Sequence, residues 1–196
     1  MDWSKIKKLS ESQAKNVAKT YLTKRSFKCE EIDPTTLSPG KLSPDYYVYG
    51  HDLEFLCEVK TPEHKLDPIT KLYKWDTTFY KLKSLIHKAV KQFEDYDKEH
   101  KNVRVIAFTS NHPQLNYSQL IHNIKGKVEF GKTVIRDLDK ISKLNNWQED
   151  LPRLELVLWF QVNYITNEAI RIHKFENAES PLILKTERLI RKLSAI

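Results

Sequence analysis

The chain has 196 residues, 40% hydrophobic and 30% charged, with four glycines and no Ser/Gly or Gln/Asn tract, so a folded domain with a proper core is expected rather than long disordered segments. Its 33 Lys and Arg against 26 Asp and Glu leave a net charge of +7, which favours a polyanionic partner without identifying one. No apolar run reaches the roughly 20 residues of a membrane helix, and the opening MDWSKIKKLSES lacks the apolar centre of a secretory signal, so a cytoplasmic protein without a membrane partner is expected.

In chain order, the first predicted element is a helix. Ser10 followed by Gln13 has the form of a capping box, and Ala14, Val17, Ala18, Tyr21 and Leu22 recur at helical spacing until about Arg25. Glu11 shares the face of Ala14 and Ala18 and is expected to point inward. FKCEEI, residues 27–32, reads as a short strand and DPTTLSPGKLSP as a loop of turn residues. Two further strands, DYYVYG and LEFLCEVK, are joined by His51 and Asp52 after Gly50, a tight hairpin connection. Cys29 and Cys57, the only cysteines, lie in these strand-like runs and indicate neither a disulfide framework nor a cysteine metal cluster.

From about Thr77 to His100, the apolar positions from Phe79 to Tyr96 mark an amphipathic helix of several turns. NVRVIAFTS, residues 102–110, is a β-branched apolar run of the kind buried mid-sheet. The core order is thus α-β-β-β-α-β, an α/β fold. Beyond it the pattern predicts helices near 117–124 and 132–144, a strand over 154–162, AIRIHKF as its partner, and a helical tail from Pro181. These are expected to enlarge the same sheet and cover its faces, so that residues 1–196 form one domain, with the core in 1–110 and an extension in 111–196.

Charge inside the two hairpin strands is the anomaly. Along LEFLCEVK the side chains alternate, so Glu58 and Lys60 share one face, and the hairpin partner can bring Asp45 alongside. Hard cations such as Mg2+ take one or two carboxylates plus waters and phosphate oxygens. Phosphodiester hydrolysis calls for that charge, since water must attack an anion while negative charge builds on the leaving oxygen. A lysine beside metal and phosphate can orient the water and offset the developing charge.

Pro44-Asp45, a hairpin, then Glu58-Val59-Lys60 on the second strand resemble the PD-(D/E)XK signature of the restriction-endonuclease-like nuclease superfamily, and the element order agrees with its αβββαβ core, a central mixed sheet flanked by helices. The resemblance covers roughly the first 110 residues. It implies that Asp45 and Glu58 ligate Mg2+, with Mn2+ able to substitute, helped by the backbone carbonyl of Val59. Lys60 would assist the nucleophilic water, and Glu11 is placed like the acidic residue that many members carry on the first core helix. Gln92 and Tyr96 in QFEDY resemble the Q-x-x-x-Y element of the RecB-like branch and lie on one helix face. There are no helicase motifs and no iron-sulfur cysteine set, so no particular branch is assigned. The implied activity is a Mg2+-dependent deoxyribonuclease, an endonuclease by expectation; homodimers are common among such enzymes.

Each residue also has a plainer reading. Glu-x-Lys recurs at Glu63-His64-Lys65 and Glu99-His100-Lys101, although only the Glu58 copy closes an apolar strand preceded by Pro-Asp. Asp45 could be a turn residue after proline, and Glu58–Lys60 an edge-strand ion pair contributing at most about 1 kcal/mol. Glu11 could simply answer the helix dipole, and Gln92 with Tyr96 could be a polar seam. Between Lys60 and the second helix, Lys65, Lys71, Lys74, Lys81 and Lys83 alternate with Tyr73, Trp75 and Tyr80, a candidate contact for nucleic-acid phosphates and bases; the aromatics could instead anchor a half-buried loop. The seven histidines show no zinc-ligand spacing, and no Gly-rich phosphate loop, G-x-S-x-G elbow or kinase set is present. The alternative to a nuclease is a catalytically silent nucleic-acid-binding or protein-interaction module on the same fold.

Overall fold

The computed structural model of the chain describes residues 7–62, 69, 75–112, 115–130, 133–137, 147–163, 166, 169–178 and 180–194. Its centre is a six-stranded mixed sheet in the order β1-β2-β3-β4-β7-β8, with β1 Lys28–Glu31, β2 Tyr46–Gly50, β3 Leu53–Lys60, β4 Val103–Ser110, β7 Leu156–Val162 and β8 Ala169–Glu176. β1, β2 and β3 form an antiparallel meander, β3, β4 and β7 run parallel, and β8 returns antiparallel. The parallel step from β3 to β4 is made by helix α2, Trp75–Tyr96, since a parallel neighbour needs a crossover long enough to return the chain to the same end of the sheet.

Helices cover both faces, which explains why the central strands read as unbroken apolar runs. Helix α1, Glu11–Thr23, packs Ala14, Val17, Ala18, Tyr21 and Leu22 against Phe55, Cys57 and Val59 of β3, Val105 and Ala107 of β4 and Leu158 and Phe160 of β7. The C-terminal helix α5, Ile183–Ser194, adds Leu189 and Leu193 on this side, and Tyr21 Oη and Arg25 Nε both donate to the Leu193 carbonyl, at 2.8 and 2.7 Å. On the other face α2 buries Leu82, Ile86, Ala89, Val90 and Phe93 against Leu56, Ile106, Val157 and Trp159. Helix α3, Tyr117–Lys125, contributes Leu120 there. Each Val, Leu, Ile or Phe among these side chains gains roughly 1.5–3 kcal/mol from burial.

α1 starts with the expected capping box: Ser10 Oγ accepts from Gln13 N–H at 3.2 Å and Gln13 Oε1 accepts from Ser10 N–H at 2.9 Å. Two predictions require correction. Glu11 is not inward: its side chain is 79% exposed, because it sits on the first turn, where the helix projects past the packed face. The helix expected over 132–144 is replaced at 133–137 by β6, Thr133–Asp137, which pairs antiparallel with β5, Lys127–Phe130, in a separate two-stranded sheet; residues 138–146 lie outside the described residues. Short apolar runs such as TVI satisfy helical and extended spacing alike, and pairing with VEF decides for the strand. A short helix α4, Trp147–Asp150, precedes β7. No helix among the described residues is long and apolar enough to cross a membrane.

Candidate active site

The hairpin of β2 and β3 builds the site. His51 and Asp52 connect the strands with φ of 55° and 58°, the left-handed pair of a two-residue turn whose twist matches that of the strands. That turn sets Tyr46 opposite Cys57, so the next residue outward, Asp45, comes level with Glu58. The register is locked by the carboxyls themselves: Asp45 N–H donates to Glu58 Oε2 at 3.0 Å and Val59 N–H donates to Asp45 Oδ2 at 2.8 Å. Strand alternation puts Leu56 and Glu58 toward α2, while Cys57 and Val59 face α1.

Glu58 is buried, 2% exposed. Burial raises its pKa to about 7; the Lys60 ammonium opposes that shift and the Asp45 charge adds to it. Lys60 Nζ is ion-paired with Glu58 Oε1 and donates to Gln92 Oε1 at 2.8 Å. Gln92 in turn donates through Nε2 to the Ser43 carbonyl at 2.8 Å. Gln92 therefore ties Lys60 on β3 and the loop before Asp45 to α2, and its amide orientation follows from having one donor and one acceptor partner. Asp45, Glu58, Val59, Lys60 and Gln92, all expected from the sequence, line one cleft of about 290 Å3 together with Glu11, Lys8, Ala14 and Thr61.

Glu11 reaches the rim of that cleft without touching Glu58. Its partner is Lys15, whose Nζ lies 2.8 Å from Glu11 Oε1 and also 2.8 Å from Asp45 Oδ1. The hydrogen bond from Lys15 holds the Glu11 carboxyl below the usual range. Partial burial works against the Lys15 charge, but hydrogen bonds and attraction from Asp45 and Glu11 outweigh it and hold its pKa above the ordinary lysine range. Lys15 was not a predicted site residue. Its only signal in the sequence is the i,i+4 spacing from Glu11, which reads as a surface helix pair.

Among the described residues no group of three or more His, Cys, Asp or Glu is placed to hold a metal ion. The donor chemistry still fits a hard cation that keeps most of its waters, because such an ion asks for one or two carboxylates, and Asp45 and Glu58 converge on open volume. Tyr96 lies on α2 one turn beyond Gln92 and is 36% exposed, outside the cleft lining.

The predicted nucleic-acid contacts fare differently. Lys65, Lys71, Tyr73 and Lys74 lie outside the described residues, as does the side chain of Trp75, the first residue of α2. Lys81 is half-buried and Tyr80 is exposed on that helix. Lys83 differs from the expectation of a surface contact: on α2 it is buried, 6% exposed.

Compared with protein-family models, with curated proteins and with solved structures, the chain gives no match.

Proposed function

We propose that the chain is a divalent-metal-dependent nuclease with a restriction-endonuclease-like core, hydrolysing phosphodiester bonds in DNA. The observation that carries this reading is the convergence at one strand end: the Asp45 backbone N–H donates to Glu58 at 3.0 Å, the Lys60 ammonium is held against Glu58 and Gln92, and Asp45, Glu58 and Lys60 all line one open cleft. A solvated edge-strand ion pair would not be buried, bridged to a second helix and set beside a void.

Asp45 and Glu58 would hold the cation, with the Val59 carbonyl as a third ligand by analogy with the superfamily. A divalent cation, when bound, supplies charge that offsets the anionic phosphodiester and acidifies water. Lys60, anchored by Gln92, orients the attacking water and faces the non-bridging oxygens on which charge accumulates as the new P–O bond forms and the sugar oxygen leaves. Gln92 acts as a positioning residue through Lys60 and the Ser43 carbonyl. Glu11, at the rim, can accept from the water shell of the ion.

The test is cleavage of supercoiled plasmid and of a labelled single strand in Mg2+, Mn2+ or EDTA by the wild type, Asp45→Ala and Lys60→Ala. Metal-dependent cutting that both substitutions abolish supports the reading. A catalytically silent DNA-binding module is the second reading, favoured by the Lys15–Asp45 pair, which already neutralises one of the two carboxylates. It predicts salt-sensitive DNA binding that survives both substitutions, with no cutting in any metal.

A further inference from the structure

Helix α1 brings to the site a charged group that packing does not require. The Lys15 pair with Glu11 is an ordinary one-turn contact along the helix. Its pair with Asp45 is different, because it crosses from the helix to the strand end and takes the Oδ1 oxygen, Oδ2 being held by the Val59 N–H. A hard cation bound at Asp45 and the Lys15 ammonium would therefore compete for the same oxygen, and two cations cannot share it without strong repulsion.

Lys15 has somewhere else to go. Beside the site cleft, and sharing Glu11 with it, lies a second groove of about 530 Å3, lined by Lys15, Asn16, Lys19 and Glu31 among others. Lys15 is 31% exposed against 14% for Asp45, and Asp45 is also held through Oδ2 by the Val59 N–H, so the lysine is the partner with room to turn away. Glu31 on the groove wall, paired loosely with Lys19 at 3.8 Å, adds a carboxylate to that groove.

We infer that Lys15 is a built-in counter-ion of the candidate metal site, seated on Asp45 while no divalent cation is bound and displaced toward the neighbouring groove when one binds. The inference rests on the metal-site reading above. It makes Lys15 a positioning residue: it holds the Asp45 carboxylate in place through Oδ1, and it weakens cation binding by the free energy needed to break its own pair.

The experiment is Mn2+ titration of the full chain, followed by electron paramagnetic resonance of the free ion, for the wild type, Lys15→Met, Lys15→Gln, Lys15→Arg and Asp45→Asn. Removing the charge while keeping the stem should tighten Mn2+ binding about tenfold, equivalent to about 1.4 kcal/mol, in both uncharged variants. Lys15→Arg should bind no more tightly than wild type, and Asp45→Asn should not bind. Unchanged or weaker binding by the uncharged variants, with Asp45→Asn still abolishing it, overturns the role of Lys15 and leaves the metal reading standing. Tightening by Lys15→Arg as well would assign the effect to packing and also overturn it. Absence of binding in wild type and uncharged variants alike, or binding that survives Asp45→Asn, overturns the metal reading and the inference with it.

Discussion

Glu58 and Glu155 are carboxylates buried in the same sheet, 2% and 0% exposed, in surroundings that differ in kind. Glu155 stands at the start of β7, where every neighbour is a donor fixed by the fold: Arg104 N–H at 2.6 Å, Ser180 Oγ at 2.7 Å and His100 Nε2 at 2.9 Å. Arg104 in the same nest donates to the Asp97 carbonyl at 2.6 Å, and the Asp97 carboxyl accepts from the N–H groups of Lys101 and Asn102, closing the turn between α2 and β4. Glu58, by contrast, meets one backbone N–H, the Lys60 ammonium and the Gln92 side chain, and opens onto a cleft. A buried acid whose oxygens are saturated by fixed donors is a structural joint. One that keeps an open side beside a cation is equipped to take a ligand.

This contrast can be broken by substitution. The largest expected effect is at the closed nest: Glu155→Ala leaves Arg104, His100 and Ser180 donors without their acceptor and should lower unfolding free energy by about 3–5 kcal/mol, read as a lower denaturant midpoint. Lys60→Ala should leave the fold largely intact, with a smaller loss of midpoint than Glu155→Ala, while slowing metal-dependent DNA cleavage by about a hundred- to a thousandfold, the range for losing one donor aimed at developing charge; unchanged turnover would remove Lys60 from the chemistry. Gln92→Ala frees Lys60 without deleting it and should cost about tenfold in turnover, with stability lowered by about 1 kcal/mol for its lost hydrogen bonds. The smallest shift is expected for Glu58→Gln, which keeps shape and acceptor while removing a costly buried charge. Its stability should stay within about 1 kcal/mol of wild type, and a loss as large as that of Glu155→Ala would erase the distinction between the two carboxylates.

Legibility from sequence followed how local the determinants are. The cap of α1, the β2–β3 hairpin and the unbroken apolar run of β4 are encoded within a few residues of each other, and they emerge where pattern places them. The pairing of Asp45 with Glu58 was readable for the same reason, since one short turn determines it. Gln92 was reached only through a family motif, because its partners Lys60 and Ser43 are distant in the chain. Lys15 stayed hidden: on a helix its spacing from Glu11 explains it fully, and nothing local announces that Asp45 lies within reach across the fold. The β6 segment reads as part of a helix because runs this short carry no decisive period, and Lys83 reads as surface because a lone lysine gives no sign of which helix face it occupies.

The turn at the far end of the β2–β3 hairpin governs more than local backbone shape. His51 Nε2 lies 2.8 Å from the Arg25 carbonyl, its ring meets Phe27 edge-on with centroids 5.2 Å apart, and Gly50 passes so near Ser26 that an added Cβ would stand 2.8 Å from that carbonyl oxygen. The hairpin is thus clamped at its turn, with Asp45 and Glu58 at the opposite end, where β3 is paired with β4. A side chain forced in at Gly50 would push the turn off the Ser26 backbone and strain the pairing that sets Asp45 level with Glu58. The alignment of the cleft therefore depends on a glycine that never touches it, and activity should report damage there before the core does.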